Sequence, residues 1–190
     1  MFKKDIRKKY IAQRQSLTLS DLEKLNDLLL IRFQQARLPF IDVMHRYLPA
    51  PGRNEPETDA IAAWLAHWNP GMIELIPRAD VSGNGLLSFV YDENTVMETN
   101  IWGIPEPAAG EPIDASRIDL VLVPLLAFDD RGYRVGYGKG YYDRFLATCR
   151  KDCIRIGLSF FGPAEKIEDV NEFDITLNLC ITPERIHEFT

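Results

Sequence analysis

Several protein classes are excluded by what this chain lacks. Its three cysteines, Cys149, Cys153 and Cys180, are odd in number, form no Cys-x-x-Cys and have no neighbouring histidine. A disulfide framework and a zinc site are therefore not expected, and reduced thiols in a cytoplasmic protein are. No apolar run approaches a membrane span, and the N-terminus lacks the apolar core of a signal peptide. A net charge of −6 argues against a general nucleic-acid surface. There is no repeat, low-complexity tract or dividing linker. At 190 residues the chain suits one well-cored domain and is short for two, so residues 1–190 are expected to form a single domain. No Ser/His or Cys/His pairing suggests a nucleophile; His45, His67 and His187 are expected as surface or packing residues. No obligate protein partner is indicated.

What is present begins with a basic segment: Lys3, Lys4, Arg7, Lys8 and Lys9 lie within a helix expected over residues 3–15, mostly as a solvated face. After a break near Ser16–Thr18, Ser20 and Glu23 have capping-box spacing for a helix whose core stripe is Leu22, Leu25, Leu29, Phe33 and Ala36. Residues 43–48 read as a strand stopped by Pro49-Ala50-Pro51-Gly52. Thr58 can cap a helix burying Ile61, Trp64, Leu65 and Trp68. Short strands follow at 72–76 and 86–91, separated by the turn Ser82-Gly83-Asn84-Gly85, and Pro105, Pro107, Gly110 and Pro112 mark a rigid loop. Residues 118–123 are apolar apart from Asp119, as expected of a central parallel strand buried on both faces. Further strands are expected at 154–160 and 175–181. Strands alternating with helices predict an α/β fold: a three-layer α/β/α sandwich with a mainly parallel sheet and ligands at the carboxyl ends of its strands.

The richest segment is Gly136-Tyr137-Gly138-Lys139-Gly140-Tyr141-Tyr142-Asp143-Arg144. Alternate glycines let the backbone approach a ligand closely, and a helix that follows directly offers amides and a positive dipole end to an anion. A dinucleotide fingerprint would need glycine at position 141, and a P-loop would need Ser or Thr after Lys139. The spacing alone fits either a phosphate or carboxylate site or a glycine-rich turn entering a helix. Asp143 tips the balance, because a carboxylate one turn into an anion-binding helix repels phosphate unless a cation such as Mg²⁺ lies between them.

The run from Pro124 to Arg144 resembles the signature of the 5-formyltetrahydrofolate cyclo-ligase family, the 5,10-methenyltetrahydrofolate synthetases. Pro124, Ala127, Phe128, Asp129, Gly132, Arg134, Gly136, Gly138, Gly140, Tyr141, Tyr142 and Asp143 fill every position of that signature. The likeness continues in Lys3 and Arg7 four apart on a basic helix, in Leu48 and Glu55-Pro56-Glu57-Thr58, in Trp102-Gly103-Ile104-Pro105, and in Asp174 and Thr182 near the end. It is looser at residues 49–57, where the turn is extended, and at Asn178, where the family shows Asp. Tyr137 stands where other members carry Arg, Met or Tyr.

The resemblance implies conversion of 5-formyltetrahydrofolate to 5,10-methenyltetrahydrofolate with ATP and Mg²⁺. A formamide is a poor electrophile with a poor leaving oxygen. Phosphorylating the formyl oxygen makes it a leaving group, and nitrogen 10 then closes the ring. Such an enzyme works by positioning and electrostatics rather than by a nucleophilic side chain. By likeness, ATP would be held by Lys3, Arg7, Arg134, Gly136, Gly138, Lys139, Gly140, Tyr141 and Tyr142, with Arg134, Lys139 and Tyr141 closest to the chemistry. The reduced folate would meet Leu48, Glu55, Trp102 and Tyr141, and Mg²⁺ would meet Asp143 and Asp174. Asp143 could instead cap its helix, Asp174 could be a plain loop carboxylate, and Glu57 could replace Glu55. The competing functions are a non-catalytic folate- or nucleotide-binding relative and another small-molecule enzyme on the same scaffold.

Overall fold

The computed structural model describes residues 1–80, 85–101 and 103–189. Helix α1 (Lys3–Gln15) is followed by α2 (Leu19–Phe33), and the break falls at Ser16–Thr18 as expected. The cap of α2 differs from the Ser20/Glu23 expectation. Thr18 accepts from the Asp21 amide, while the Asp21 carboxylate accepts from the Thr18 amide at 2.9 Å. Both residue pairs have the required spacing, but only Thr18 keeps the extended backbone of an N-cap, with ψ 165°. Leu29 and Phe33 are buried, and Leu22, Leu25 and Ala36 pack at the margin of the same cluster.

The remaining elements are β1 (Val43–His45), α3 (Asp59–Trp68), β2 (Ile73–Asp80), β3 (Gly85–Val90), β4 (Met97–Thr99), β5 (Pro105–Pro107), β6 (Leu120–Val123), β7 (Ala127–Phe128), β8 (Arg134–Val135), α4 (Tyr141–Thr148), β9 (Ile154–Leu158), β10 (Leu179–Ile181) and β11 (Ile186–Glu188). Seven strands form one sheet in the order β11-β10-β9-β6-β1-β2-β3, parallel except at its two edges, β3 and β11. Strand β6 explains the layering. Leu120 and Leu122 enter a cluster with α2 and α3, while Val121 and Val123 enter another with Phe145 and Leu146 of α4. A strand covered on both sides needs apolar residues at every position, and this one has them. The expected α/β/α sandwich is therefore present.

Chain direction locates the site. From β1 the sheet grows one way through α3 to β2, and from β6 it grows the other way through α4 to β9. Right-handed crossovers running in opposite directions place their helices on opposite faces and leave a crevice between β1 and β6 at their carboxyl ends.

Several local expectations change. The strands expected at 43–48, 154–160 and 175–181 are shorter, at Val43–His45, Ile154–Leu158 and Leu179–Ile181. Thr58 stands before α3, but its hydroxyl donates to the Tyr47 carbonyl and accepts from Arg46, so it ties the helix start to β1 instead of capping. Trp64 is half-buried, whereas Trp68 is 63% exposed because α3 ends there. Pro105 and Pro107 lie in β5, which pairs with β4 as an edge ribbon. Helix α4 stops at Thr148, so Cys149 and Cys153 share no helix face. The turn at 82–85 lies outside the described residues except for Gly85.

Candidate active site

The site is built outward from the β7–β8 hairpin. Asp129 is fully buried, and its carboxylate accepts from the amides of Arg131 at 3.0 Å, Tyr133 at 3.2 Å and Ile167 at 3.1 Å, and from the Arg131 guanidinium at 2.7 Å. Gly132 has φ +81°, and a Cβ there would stand 2.8 Å from Phe189. The Phe-Asp and first-glycine positions of the motif are thus architectural. They turn the chain so that Arg134 and the glycine loop emerge at the crevice.

In that loop, Arg7 reaches across from α1 and donates to the Gly136 carbonyl at 2.9 Å. A Cβ on Gly138, whose φ is +94°, would stand 3.1 Å from the same guanidinium. Gly140, at φ +68°, is the left-handed residue from which α4 starts. Arg134 is buried beneath the loop; it donates to the Ile175 carbonyl and to Asp143 Oδ1 at 2.9 Å. Burial lowers its pKa, and the Asp143 charge opposes that shift. Asp143 also accepts the Ile175 amide at 3.2 Å, and α4 has no side-chain cap. Asp143 is therefore not a helix cap. Beside it, Asp174 accepts from Lys3 Nζ at 2.6 Å and from the Asn171 amide at 2.7 Å.

The opposite wall follows β1. Glu55 is only 7% exposed; Oε2 accepts from the Ala50 amide and Oε1 from the Tyr137 hydroxyl, each at 2.8 Å. Glu57 is exposed, outside the main cavity, with its amide bound to Asn26. Of the two glutamates, Glu55 is the one that lines the cavity. The Tyr137 and Tyr142 hydroxyls are both held well above the ordinary phenol range, first by burial and then by the Glu55 charge. Both stay protonated at neutral pH; Tyr137 donates to Glu55, while among the described residues the buried Tyr142 hydroxyl has no partner.

Together these walls enclose a cavity of about 1000 Å³ at the crevice between β1 and β6. That is the upper end of the range for small-molecule sites. Among the described residues no three His, Cys, Asp or Glu side chains converge as a metal cluster. A model of the 5-formyltetrahydrofolate cyclo-ligase family matches residues 2–177. This chain belongs to that family.

Among proteins named 5-formyltetrahydrofolate cyclo-ligase, the one from Escherichia coli K12 is 29% identical over 126 residues, 64% of this chain and 69% of that protein. The one from Mycoplasma genitalium is 39% identical over 69 residues, 36% of this chain and 42% of that protein. The chain thus spans about two fifths of the length of that relative in the alignment. In three dimensions the NMR structure of a 5,10-methenyltetrahydrofolate synthetase from Aquifex aeolicus superposes with a TM-score of 0.79 at 24% identity, covering 99% of this chain and 93% of that one. A methenyltetrahydrofolate synthetase from Mycoplasma pneumoniae gives 0.75 at 22% identity, covering 95% and 98%. Both likenesses concern the fold.

Every residue assigned a site role through the cyclo-ligase resemblance lines the one cavity, except Trp102, which lies outside the described residues. Asn178 is elsewhere: its side chain accepts the Arg155 amide at 2.9 Å and its carbonyl accepts from Phe189, so it secures β9 to the chain entering β10. Sequence reasoning gave no role to Arg14 or Tyr137. Arg14 had a signal, since Lys3, Arg7, Tyr10 and Arg14 recur at spacings of four, three and four on one face of α1.

Proposed function

We propose that this protein converts 5-formyltetrahydrofolate to 5,10-methenyltetrahydrofolate, with ATP and Mg²⁺. The observation that carries this reading is the meeting of Glu55 and the Gly136–Asp143 loop in one cavity. A buried carboxylate with acceptor sites to spare suits the amino-pyrimidinone edge of a pterin, which presents paired N–H donors. The glycine loop, Lys139, Arg7 and Lys3 suit a triphosphate.

The formyl oxygen attacks the γ-phosphorus and ADP departs, leaving a phosphorylated iminium carbon. Nitrogen 10 then adds to that carbon, loses its proton, and the ring closes as the carbon–oxygen bond breaks and phosphate leaves. Gly138 and Gly140 present backbone to the phosphates, and Lys139 supplies a mobile positive charge to the oxygens that gain charge. Asp143 and Asp174 are the candidate ligands for Mg²⁺. Both line the cavity but are paired with Arg134 and Lys3, and two carboxylates plus substrate phosphates are the usual set for this ion. Bound there, Mg²⁺ would offset the charge that the triphosphate brings close to these acids.

The test is an absorbance assay with purified protein, 5-formyltetrahydrofolate, ATP and Mg²⁺. A near-ultraviolet methenyl band should grow in step with ADP and phosphate, and omitting ATP or chelating the metal should stop it. Band growth at the full rate without nucleotide would overturn the mechanism. Binding of both ligands with no methenyl product would leave a non-catalytic relative.

A further inference from the structure

We infer that Arg14 and Tyr137 form a buried relay that positions the Glu55 carboxylate for folate, an inference that rests on the folate reading of the site. Arg14 is 2% exposed on α1, yet among the described residues no carboxylate pairs with it. Its Nη2 donates to the Leu125 carbonyl at 2.5 Å, its Nη1 donates to the Tyr137 hydroxyl at 3.1 Å, and its Nε has no partner. A buried guanidinium needs a compensating charge. The acid at the end of its hydrogen-bond chain is Glu55, one hydroxyl away, because the Tyr137 hydroxyl donates its hydrogen bond to Glu55 Oε1 at 2.8 Å.

The chain has a direction. A guanidinium can only donate, so the Tyr137 oxygen must accept from Arg14 and turn its hydrogen toward Glu55. Donation from Arg14 polarises that hydroxyl and strengthens the bond it makes onward. The Ala50 amide occupies one site on the other carboxylate oxygen. Glu55 is thereby held by one bond on each oxygen, which fixes its plane and leaves one acceptor site on each for a ligand with two parallel donors. Arg53 lies over the Tyr137 ring at 4.5 Å, and the Asn54 side chain donates to the Arg14 carbonyl at 3.0 Å, so the loop that carries Glu55 grips both members of the relay. Tyr137 also sits between Gly136 and Gly138, which places the relay at the junction of the two proposed substrate regions.

Positioning predicts a split between the substrates. Tyr137→Phe removes only the hydroxyl and should raise the KM for 5-formyltetrahydrofolate about 5–10-fold while the KM for ATP stays within about twofold. Arg14→Met should raise the folate KM similarly in the natural background and add little in the Tyr137→Phe background, because its effect travels through the missing hydroxyl. Arg14→Lys, which keeps the charge, should recover part of the loss. If Arg14→Met does not fold, Tyr137→Phe and Arg14→Lys carry the same comparison, the Arg14→Lys effect disappearing when the hydroxyl is gone. Equal rises in both KM values, or an undiminished Arg14 effect without the hydroxyl, would overturn the relay. Glu55→Gln measured alongside separates the two readings. Lost folate affinity there with unchanged affinity in Tyr137→Phe rejects the relay alone, and unchanged affinity in Glu55→Gln rejects the folate-carboxylate reading and the relay with it.

Discussion

At the scale of single residues, the two cations of the glycine motif behave differently. Lys139 is exposed at the loop crest and among the described residues its ammonium makes no ion pair or hydrogen bond, whereas Arg134 is buried and already committed to Ile175 and Asp143. Lys139→Ala should therefore raise the KM for ATP about tenfold with an unchanged melting temperature. Arg134→Ala should lower stability as well, by about 2–3 kcal/mol, since it strands the Ile175 carbonyl and a half-exposed Asp143. Parallel kinetics and thermal melts check both, and a stable Arg134→Ala with only an ATP defect would refute the structural role. His45 offers a second test. It is 0% exposed, neither ring nitrogen has a partner among the described residues, its ring lies 4.7 Å from the Phe145 ring, and burial lowers its pKa to about 3. The unfolded chain binds a proton near pH 6.5 and the folded one does not until about 3, so stability falls as pH drops through that window. His45→Phe should remove this contribution, and its stability advantage over the natural protein should widen between pH 7.5 and 5 in denaturant titrations. A constant difference would mean that His45 titrates alike in the folded and unfolded states.

At the scale of elements, most boundaries follow from local chemistry that several residues offer at once. Thr18/Asp21 and Ser20/Glu23 both have capping spacing, and the structure uses the first. Thr18→Ala should cost about 1 kcal/mol, a fall of about 2–4 °C in melting temperature at this size, and Ser20→Ala should stay within about 0.5 kcal/mol. Equal effects would deny the capping box at Thr18. The same ambiguity governs α3, where Thr58 has a cap's position but its hydroxyl serves Arg46 and Tyr47. The glycine loop is the opposite case. Gly138 and Gly140 need positive φ, few other residues supply it, and the sequence was legible there for that reason.

At the scale of the whole molecule, the seven-stranded sheet carries two buried clusters, one on each face, and a third packs α1 against the hairpin between β6 and α4 at the crevice. No helix among the described residues is long and apolar enough to cross a membrane. Because two of the clusters share strands β1, β6 and β10, and Phe161 packs against both the α2–α3 cluster and the α1 cluster, the chain should unfold as one domain. Heating should give a single transition, coincident by far- and near-ultraviolet circular dichroism. Two separated transitions would divide it. A nucleotide or folate that binds only the folded state should shift that single transition upward with concentration.

The α/β layering, the central strand within 118–123 and the glycine-rich loop at 136–143 that enters α4 could all be read from the sequence. Each depends on local rules: apolar continuity for a strand buried on both faces, and glycine where the backbone must take positive φ. The resemblance to the cyclo-ligases likewise rests on short, dense motifs. The choice of Glu55 over Glu57 could not be read, because residues 49–54 form a turn whose exit direction depends on where Ala50, Asn26 and Tyr137 wait to receive it. Nor could the Arg14–Tyr137–Glu55 chain, whose members are separated by 41 and 82 positions in sequence. Burial of a charge is affordable only where distant groups complete its hydrogen bonds, and that condition is met by the folded sheet, not by any stretch of the chain alone.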